Sequence, residues 1–391
     1  MSTTFRHGWS RWAAVAMFLV LAVPASWAQS NAPIKVGSIF SVTGGAAFLG
    51  DYMKKTVQMY IEKQNKEGGI NGRQIEWYVY DAASDVTKGV MAAKRLVEQD
   101  GVSIVVGDGN SSAVAVALAP IFENAKVPFV SLSGSKLIAT PIEKKHWVFK
   151  AVQEDTDGVI KSIQFWKSKG YKRIAFLTDT SGWGKSAKEE FELHLKGTGI
   201  EGVAWEEFDP AATDLTPQLV RIKAKNPEVI ICWTVTPAGV VFLKNAQQLG
   251  MGDIVFMHGQ GFVDERYMKM AGSAAEGLLL VGFRFSVLDQ LPANDPLRKS
   301  IEKYIGEYEA YFGAKPTFYG TNGYDGIHLA LAALKAAGDD KAKLRDALEN
   351  IKGFVGTQRI HSFSPTNHRG GSPDTMTIIK WANGRWNMLY Y

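Results

Sequence analysis

The sequence contains little of what several classes of protein require. Among its 391 residues there are one cysteine and seven histidines. A single cysteine makes no internal disulfide, and the histidines lack the spacing of metal ligands. The formal net charge is only +5, and basic residues are interspersed with acidic ones, so nothing indicates a nucleic-acid partner. We expect neither a metal site nor nucleic-acid binding.

Long apolar runs are also missing. The run "AAVAMFLVLAV" follows Arg6 and Arg11 and precedes small residues that end at Ala28, which is typical of a secretory signal over residues 1–28 with cleavage near Ala28. A membrane-spanning helix needs about 20 apolar residues, so this run is too short to be an anchor. The only cysteine is Cys232, so no N-terminal lipid anchor is expected.

From Pro33 onward, short apolar strands alternate with amphipathic helices. The strand "IKVGSIF" precedes the helix "DYMKKTVQMYIEKQNK", and a second run of the same kind starts near Thr156. Such alternation predicts an α/β fold with parallel sheets covered by helices on both faces. The length favours two domains. The final segment predicts an antiparallel pair around Asn383 and Gly384.

Two glycine-containing loops resemble nucleotide sites without meeting their requirements. "GDGNSS", residues 107–112, follows the third strand rather than the first, and no acidic residue ends the next strand. "DTSGWGKSAK" has Asp179 where a phosphate-binding loop requires glycine. No catalytic constellation appears elsewhere, so we expect no cofactor and no enzymatic activity.

Small polar residues recur where predicted strands end. Asn110, Ser111 and Ser112 end one strand, the stretch 131–135 ends the next, and Thr234 and Thr236 end a strand of the second run. Ligands bind at the carboxyl ends of strands in open parallel sheets, and helix N-termini attract anions. Hydroxyls that only cap helices are the alternative interpretation for any single residue, but the whole set favours a ligand site.

These segments together resemble the periplasmic solute-binding proteins of the branched-chain amino-acid type, which serve ABC importers. The likeness covers nearly the whole chain after residue 33, in motifs whose order and spacing are specific. The motifs are "IKVGSIFSVTGGAAFLGDYMKKTVQM", "NKEGGINGRQIEWYVYDAASD", "VVGDGNSSAVAVALAPI", "RIAFLTDTSGWGKSAKEEF", "AAEGLLLVGF" and "YGTNGYDGIHLALAAL".

The resemblance implies a type I periplasmic binding protein fold. Each of two lobes is then a three-layer α/β sandwich around a parallel sheet, and three hinge crossings join the lobes. The first lobe is expected over 33–150 and 278–355, and the second over 151–277 and 356–391. Lobes of this kind close over a solute that lies between them.

The resemblance also implies a set of ligand-binding residues. Hydroxyl and amide groups around Asn110, Ser111 and Ser112 would hold a carboxylate, with Ser133 and Ser135 beside them. An aromatic residue in the first loop of the second lobe matches Trp183. Our own hypothesis adds Phe48, Tyr319 and Trp233 as further flat apolar surfaces for an aromatic ligand. Thr236 and Gln260 complete the predicted site.

Two positions depart from the amino-acid-binding pattern. Gln260 stands where relatives carry an acid that pairs with the ligand's ammonium, although Asp264 is close enough in sequence to substitute for it. Some relatives have a disulfide that would need cysteines at positions 84 and 110, where this chain has Ser84 and Asn110. An unpaired ammonium in a desolvated cleft is unfavourable. The hypothesis is therefore an aromatic or other apolar carboxylate without an α-amino group, and the alternative is an aliphatic amino acid.

The predicted function is that of a periplasmic, monomeric substrate-binding subunit that delivers its ligand to an ABC-transporter permease. Ligand binding needs no chemical step, because the ligand shifts an equilibrium between open and closed forms. A ligand-binding module of a sensory system is the alternative from another functional class. An enzyme is a third class, which turnover of a bound acid or ester would reveal.

Overall fold

A computed structural model describes residues 1–4, 32–45, 47–371 and 373–391 of the chain. The predicted signal sequence, apart from residues 1–4, lies outside the described residues and stays a prediction. The fold described below spans Pro33–Tyr391, which clusters as one unit.

The first half of the chain builds a five-stranded parallel sheet. Its strands follow one another in the order β2-β1-β3-β4-β5. Every residue of β3, β4 and β5 is buried, as is typical of strands covered by helices on both faces. The elements are β1 (Ile34–Phe40), α1 (Ala47–Lys66), β2 (Ile75–Asp81), α2 (Val86–Arg95), β3 (Ile104–Val106), α3 (Ser112–Asn124), β4 (Phe129–Ser131) and β5 (Val148–Lys150).

The next elements build a larger sheet of seven strands. These elements are α4 (Asp155–Lys169), β6 (Arg173–Asp179), α5 (Gly182–His194), β7 (Glu201–Phe208), α6 (Thr216–Lys223), β8 (Val229–Trp233), α7 (Ala238–Gln248), β9 (Val255–His258), α8 (Glu265–Ala271) and β10 (Leu279–Phe283). The remaining elements are α9 (Arg298–Phe312), α10 (Phe318–Ala337), α11 (Lys341–Glu349), β11 (Phe354–Val355), β12 (Ile360–His361), β13 (Met376–Ala382) and β14 (Arg385–Tyr390).

Strand order in the seven-stranded sheet is β14-β13-β10-β9-β8-β6-β7. Pairing is parallel from β10 to β7 and antiparallel for β10 with β13 and for β13 with β14. Asn383 and Gly384 form the turn between β13 and β14, both with positive φ, which confirms the predicted hairpin. The predicted α/β class with two helix-covered sheets is confirmed.

Short 3₁₀ segments join several of these elements. They are Lys136–Ile138, Ile142–Lys144, Gln260–Phe262, Gly272–Ala275, Arg284–Gln290 and Pro373–Thr375, and a π-helical turn, Leu96–Asp100, extends α2.

The chain crosses between the two sheets at points that differ from the expected boundaries. β10 was expected in the first lobe, but its apolar run extends the second sheet because it pairs with β9 and β13. Gln290 also bonds to β14, through Trp386 O at 3.0 Å and Met388 N at 2.7 Å. The second crossing therefore follows residue 291.

The third crossing also lies later than expected. His361 contacts Asp325 of α10 at 3.0 Å, and the backbone of Lys150 in β5 donates to His368 O at 3.0 Å. Phe363 packs edge-on against Phe149 of β5. We therefore propose that lobe 1 comprises residues 33–150 and 298–371, and lobe 2 residues 151–291 and 373–391.

Candidate functional site

The carboxyl ends of strands from both sheets face a cavity of about 710 Å³. Loops after β3, β4 and β5 line one side, and loops after β6, β8 and β9 line the other. This position follows from the parallel sheets, because their carboxyl edges leave a crevice where connections diverge. Side chains from the first turns of α1 and α10 complete the wall.

Charged side chains are nearly absent from this wall. Among the described residues lining the cavity, Asp179 is the only charged one. Its carboxylate accepts hydrogen bonds from Ser181 N at 3.0 Å and from Thr234 Oγ1 at 2.7 Å. Burial raises the pKa of Asp179, and these hydrogen bonds oppose the rise. Asp179 therefore joins its own loop to the segment after β8, and the rest of the wall offers neutral groups.

The helices α3, α5 and α7, like α1 and α10, begin at the cavity. The wall includes the first residues of α3 and α7 and, from α5, Gly182 and Trp183. Helix N-termini present unpaired backbone N–H groups and the positive end of the helix dipole. A carboxylate bound here would be held by amides and hydroxyls, since no basic side chain of the described residues lines the cavity.

The predicted carboxylate-binding segment lies on the wall. Ser111 is the N-cap of α3 and makes no side-chain capping hydrogen bond. Ser112 Oγ accepts from the backbone N–H of Ser135 at 3.2 Å. Asn110 has φ of 56° and donates from Nδ2 to Ser41 O at 3.2 Å. Ser111 is therefore the hydroxyl of this segment best placed to meet a ligand.

A buried aspartate organises the end of β4. Asp108 accepts hydrogen bonds from Ser133 Oγ at 2.8 Å, Ser131 Oγ at 2.5 Å, Leu132 N at 2.9 Å and Asn110 N at 3.2 Å. Burial raises its pKa while these bonds oppose the rise. Ser133 lines the cavity, but its hydroxyl donates to Asp108 and is not a free donor for a ligand.

Ser135 lies off the wall, unlike the other predicted hydroxyl residues. Its hydroxyl bonds to Ser186 Oγ of α5 at 3.1 Å and accepts from Leu137 N at 3.2 Å. The chain turns into a 3₁₀ segment after Gly134, so Ser135 points toward α5. Its role is a contact between the two lobes rather than contact with a ligand.

Of the four aromatic side chains predicted to contact a ligand, three line the cavity and one lies in the core. Trp183 lies on the wall against Gly134, and its indole Nε1 has no hydrogen-bond partner among the described residues. Phe48 and Tyr319 also line the cavity, with ring centroids 5.7 Å apart. Trp233 is fully buried behind Trp183, at a centroid distance of 5.5 Å, and is off the wall.

Gln260 lines the cavity and its amide has a fixed orientation. Nε2 donates to Glu154 O at 2.8 Å, while Oε1 has no partner among the described residues and faces Gly158. A glutamate here would bring a carboxylate oxygen against that carbonyl. Asp264, the expected substitute, is off the wall and pairs with Arg266 at 2.6 Å. Thr236 lies on the wall and donates to Pro210 O at 2.7 Å.

Several residues that line the cavity were not predicted from the sequence. Gln153 follows β5, so the same strand-end pattern identifies its position. Asn322 and Gln358 come from α10 and from the segment after β11, where no local pattern signals a ligand site. Phe283 and Phe318 stack at 3.8 Å and close the apolar part of the wall.

Comparisons with known proteins agree with this architecture. The chain is 26% identical over 359 residues to Leu/Ile/Val-binding protein homolog 3 of Brucella melitensis, covering 90% of this chain and 93% of that protein. An extracellular ligand-binding receptor from Rhodopseudomonas palustris HaA2 superposes with a TM-score of 0.83 at 24% identity, covering 91% of this chain and 99% of that one.

A third protein is solved with a ligand. The branched-chain amino acid transporter substrate binding protein of Streptococcus pneumoniae, in complex with isoleucine, superposes with a TM-score of 0.78 at 24% identity. The match covers 92% of this chain and all of that one. The structural likeness confirms the predicted type I fold.

A match to one protein family covers most of the chain. The profile of the periplasmic binding protein family matches residues 33–385, which is nearly the whole described fold. None of the helices in the described ranges has the length and apolar character that a membrane span requires. The chain belongs to the periplasmic binding protein family, as its motifs predicted.

Proposed function

We propose that this protein is the substrate-binding subunit of an ABC importer and captures a carboxylate with an aromatic or other apolar body and no α-amino group. The observation that carries the ligand class is the neutral wall. Its only charged side chain among the described residues, Asp179, already accepts hydrogen bonds from Ser181 in its own loop and from Thr234 after β8. An α-ammonium would therefore lose its hydration without gaining a free carboxylate.

The lobe contacts support capture by closure. On one side of the cavity, Ser135 bonds Ser186 and Lys136 pairs with Glu190. On the other side, Tyr319 donates to Gly261 O at 3.2 Å. These contacts join the two proposed lobes around the cavity, so the described conformation corresponds to a closed form. A ligand stabilises this form by its differential affinity for it.

The remaining parts of the proposal follow from the family. The closed form would dock on a membrane permease of the transporter, and the protein would work as a monomer in the periplasm after removal of its signal sequence. The relatives' names favour a second candidate ligand, a branched-chain amino acid, since one is named for leucine, isoleucine and valine and another is bound to isoleucine.

Thermal unfolding against a ligand panel separates the two ligand classes. The panel contains aromatic carboxylates, aliphatic amino acids, dicarboxylates and the amides of the aromatic acids. A ligand at 100 times its Kd adds about 2.7 kcal/mol of stability, which raises Tm by several degrees. We expect aromatic carboxylates to raise Tm and their neutral amides to have little effect. A shift with leucine or valine alone would refute the proposed ligand class but leave the binding function.

A further inference from the structure

A buried group of amide side chains lines the cavity beside the end of β5. The group consists of Gln153, Asn322 and Gln358, which we call the amide cluster. All three are buried, and only 4% of Gln153 is exposed. No sequence pattern or family comparison assigns a role to this cluster, which lies apart from the helix N-termini described above.

Backbone carbonyls fix how these amides are oriented. Gln153 Nε2 lies 2.5 Å from Gln358 O, and Asn322 Nδ2 lies 3.1 Å from Leu132 O, so each of these atoms has to be the amide nitrogen. Gln358 Nε2 then donates to Asn322 Oδ1 and, at 2.8 Å, to Thr321 Oγ1. If the amide of Gln153 or Asn322 were flipped, its side-chain oxygen would face a backbone carbonyl oxygen.

Within the amide cluster, this arrangement leaves one fully buried acceptor without a partner. Gln153 Oε1 is buried and makes no hydrogen bond to any of the described residues. A buried polar atom without a partner is unfavourable, and such atoms are uncommon in folded proteins. Since Gln153 lines the cavity, the group that satisfies Oε1 most directly is a hydrogen-bond donor on the ligand.

The sheet gives the spacing of the two strands that carry this acceptor and the proposed carboxylate site. Gln153 follows β5 and Ser111 follows β3, and β4 lies between these two strands. Neighbouring strands are about 4.8 Å apart, so β3 and β5 are separated by about 10 Å across the sheet. An α-amino group is bonded to the carbon next to the carboxylate and does not reach that far. A donor across an aromatic ring does.

We infer that the ligand carries a hydroxyl or amino group at the end opposite its carboxylate, and that Gln153 Oε1 accepts a hydrogen bond from this group. This inference rests on the proposed function, because it takes the carboxylate to lie at the N-terminus of α3. Gln153 is then a specificity-determining residue, since it separates ligands with a distal donor from otherwise similar ligands.

Calorimetric titration of the purified protein with a matched ligand series tests the inference. The series is built on two scaffolds, benzoate and 3-phenylpropionate. For each scaffold, compounds with hydrogen, hydroxyl, amino or methoxy at the meta or para position are compared with one another. The methoxy group has an oxygen but donates no hydrogen bond. We expect the best hydroxyl or amino compound to bind on the order of 10- to 100-fold more tightly than its hydrogen and methoxy counterparts.

A variant links the preference to the side chain. Gln153→Met keeps a similar length but has no amide oxygen, and we expect it to reduce the preference for donors to less than about threefold. Gln248→Met changes an exposed glutamine outside the cavity and serves as the matched control. The wild-type comparison of hydroxyl with methoxy does not depend on the variant folding.

The outcomes distinguish the two proposals. Tight binding of aromatic carboxylates with no preference for donors overturns the inference and leaves the proposed ligand class intact. A donor preference that persists in Gln153→Met overturns the assignment to Gln153. Binding of aliphatic amino acids without binding of any aromatic carboxylate overturns the proposed ligand class and the inference with it.

Discussion

Replacing Gly134 by alanine should weaken ligand binding without destabilising the ligand-free protein. Gly134 follows β4 in lobe 1, and a β-carbon at this position would lie less than 3.0 Å from two ring carbons of Trp183 in lobe 2. The φ of Gly134 lies outside the left-handed region, so alanine causes no backbone strain by itself. The clash therefore arises only when the lobes close.

The size of the effect follows from the surroundings of both residues. Gly134 O accepts hydrogen bonds from Lys150 Nζ at 2.8 Å and from Asp155 N at 3.2 Å, which hold the backbone in place. The Trp183 ring is backed by Trp233, so it has little space to retreat. Overpacking of this kind costs about 1–3 kcal/mol, which corresponds to an affinity loss of about 5- to 150-fold.

The assay combines calorimetric titration, with the tightest ligand of the panel, and thermal unfolding of the ligand-free protein. The matched control is Gly306→Ala, an exposed glycine in α9 with nothing within 4 Å of the added β-carbon. The control should keep its affinity and gain about 0.5–1 kcal/mol of stability. Affinity of Gly134→Ala within twofold of wild type would refute the reasoning. A large loss of Tm without ligand would show that the contact is not specific to lobe closure.

Two further predictions concern buried carboxylates. Asp108→Asn places an NH₂ group opposite either Leu132 N or Asn110 N, so urea unfolding at pH 7 should show a loss of about 1–3 kcal/mol; a gain would show that relief of the buried charge outweighs the hydrogen bonds. Burial raises the pKa of Asp155 from 3.8 to about 6, although Lys150 opposes the rise. Because the folded state then holds more protons between pH 4 and 6, this group's contribution to stability falls as pH rises through that window, by about 3 kcal/mol in total. Asp155→Asn should flatten this part of the stability profile measured by urea unfolding, and an unchanged profile would contradict the assignment.

The alternation of strands and helices made the fold predictable from the sequence. Fully buried strands such as β8 appear as continuous apolar runs, and the Asn383–Gly384 turn specifies its hairpin locally. The boundaries between the lobes were harder to predict from the sequence. β10 is as apolar as a strand of either sheet, and only its hydrogen bonds to β9 and β13 place it in the second one.

The candidate site was predictable where it follows strand ends and not elsewhere. Ser111 and Trp183 occupy loops that the strand-end pattern identifies. The direction of a hydroxyl is set by neighbours distant in sequence, so nothing local indicates that Ser133 donates to Asp108 or that Ser135 faces Ser186. The amide cluster is assembled from three separate segments, and its orientation depends on backbone carbonyls that only the folded chain brings near.

The interleaved order of the two proposed lobes has a consequence for synthesis of the chain. The helix α1 packs against α10, which is more than two hundred residues later in the chain. As the chain is synthesised from its N-terminus, α1 and the first sheet therefore lack their packing partner α10 until the parallel part of the seven-stranded sheet has been made. The proposed lobe 1 is therefore not contained in any one continuous fragment of the chain, and it depends on residues of the C-terminal third.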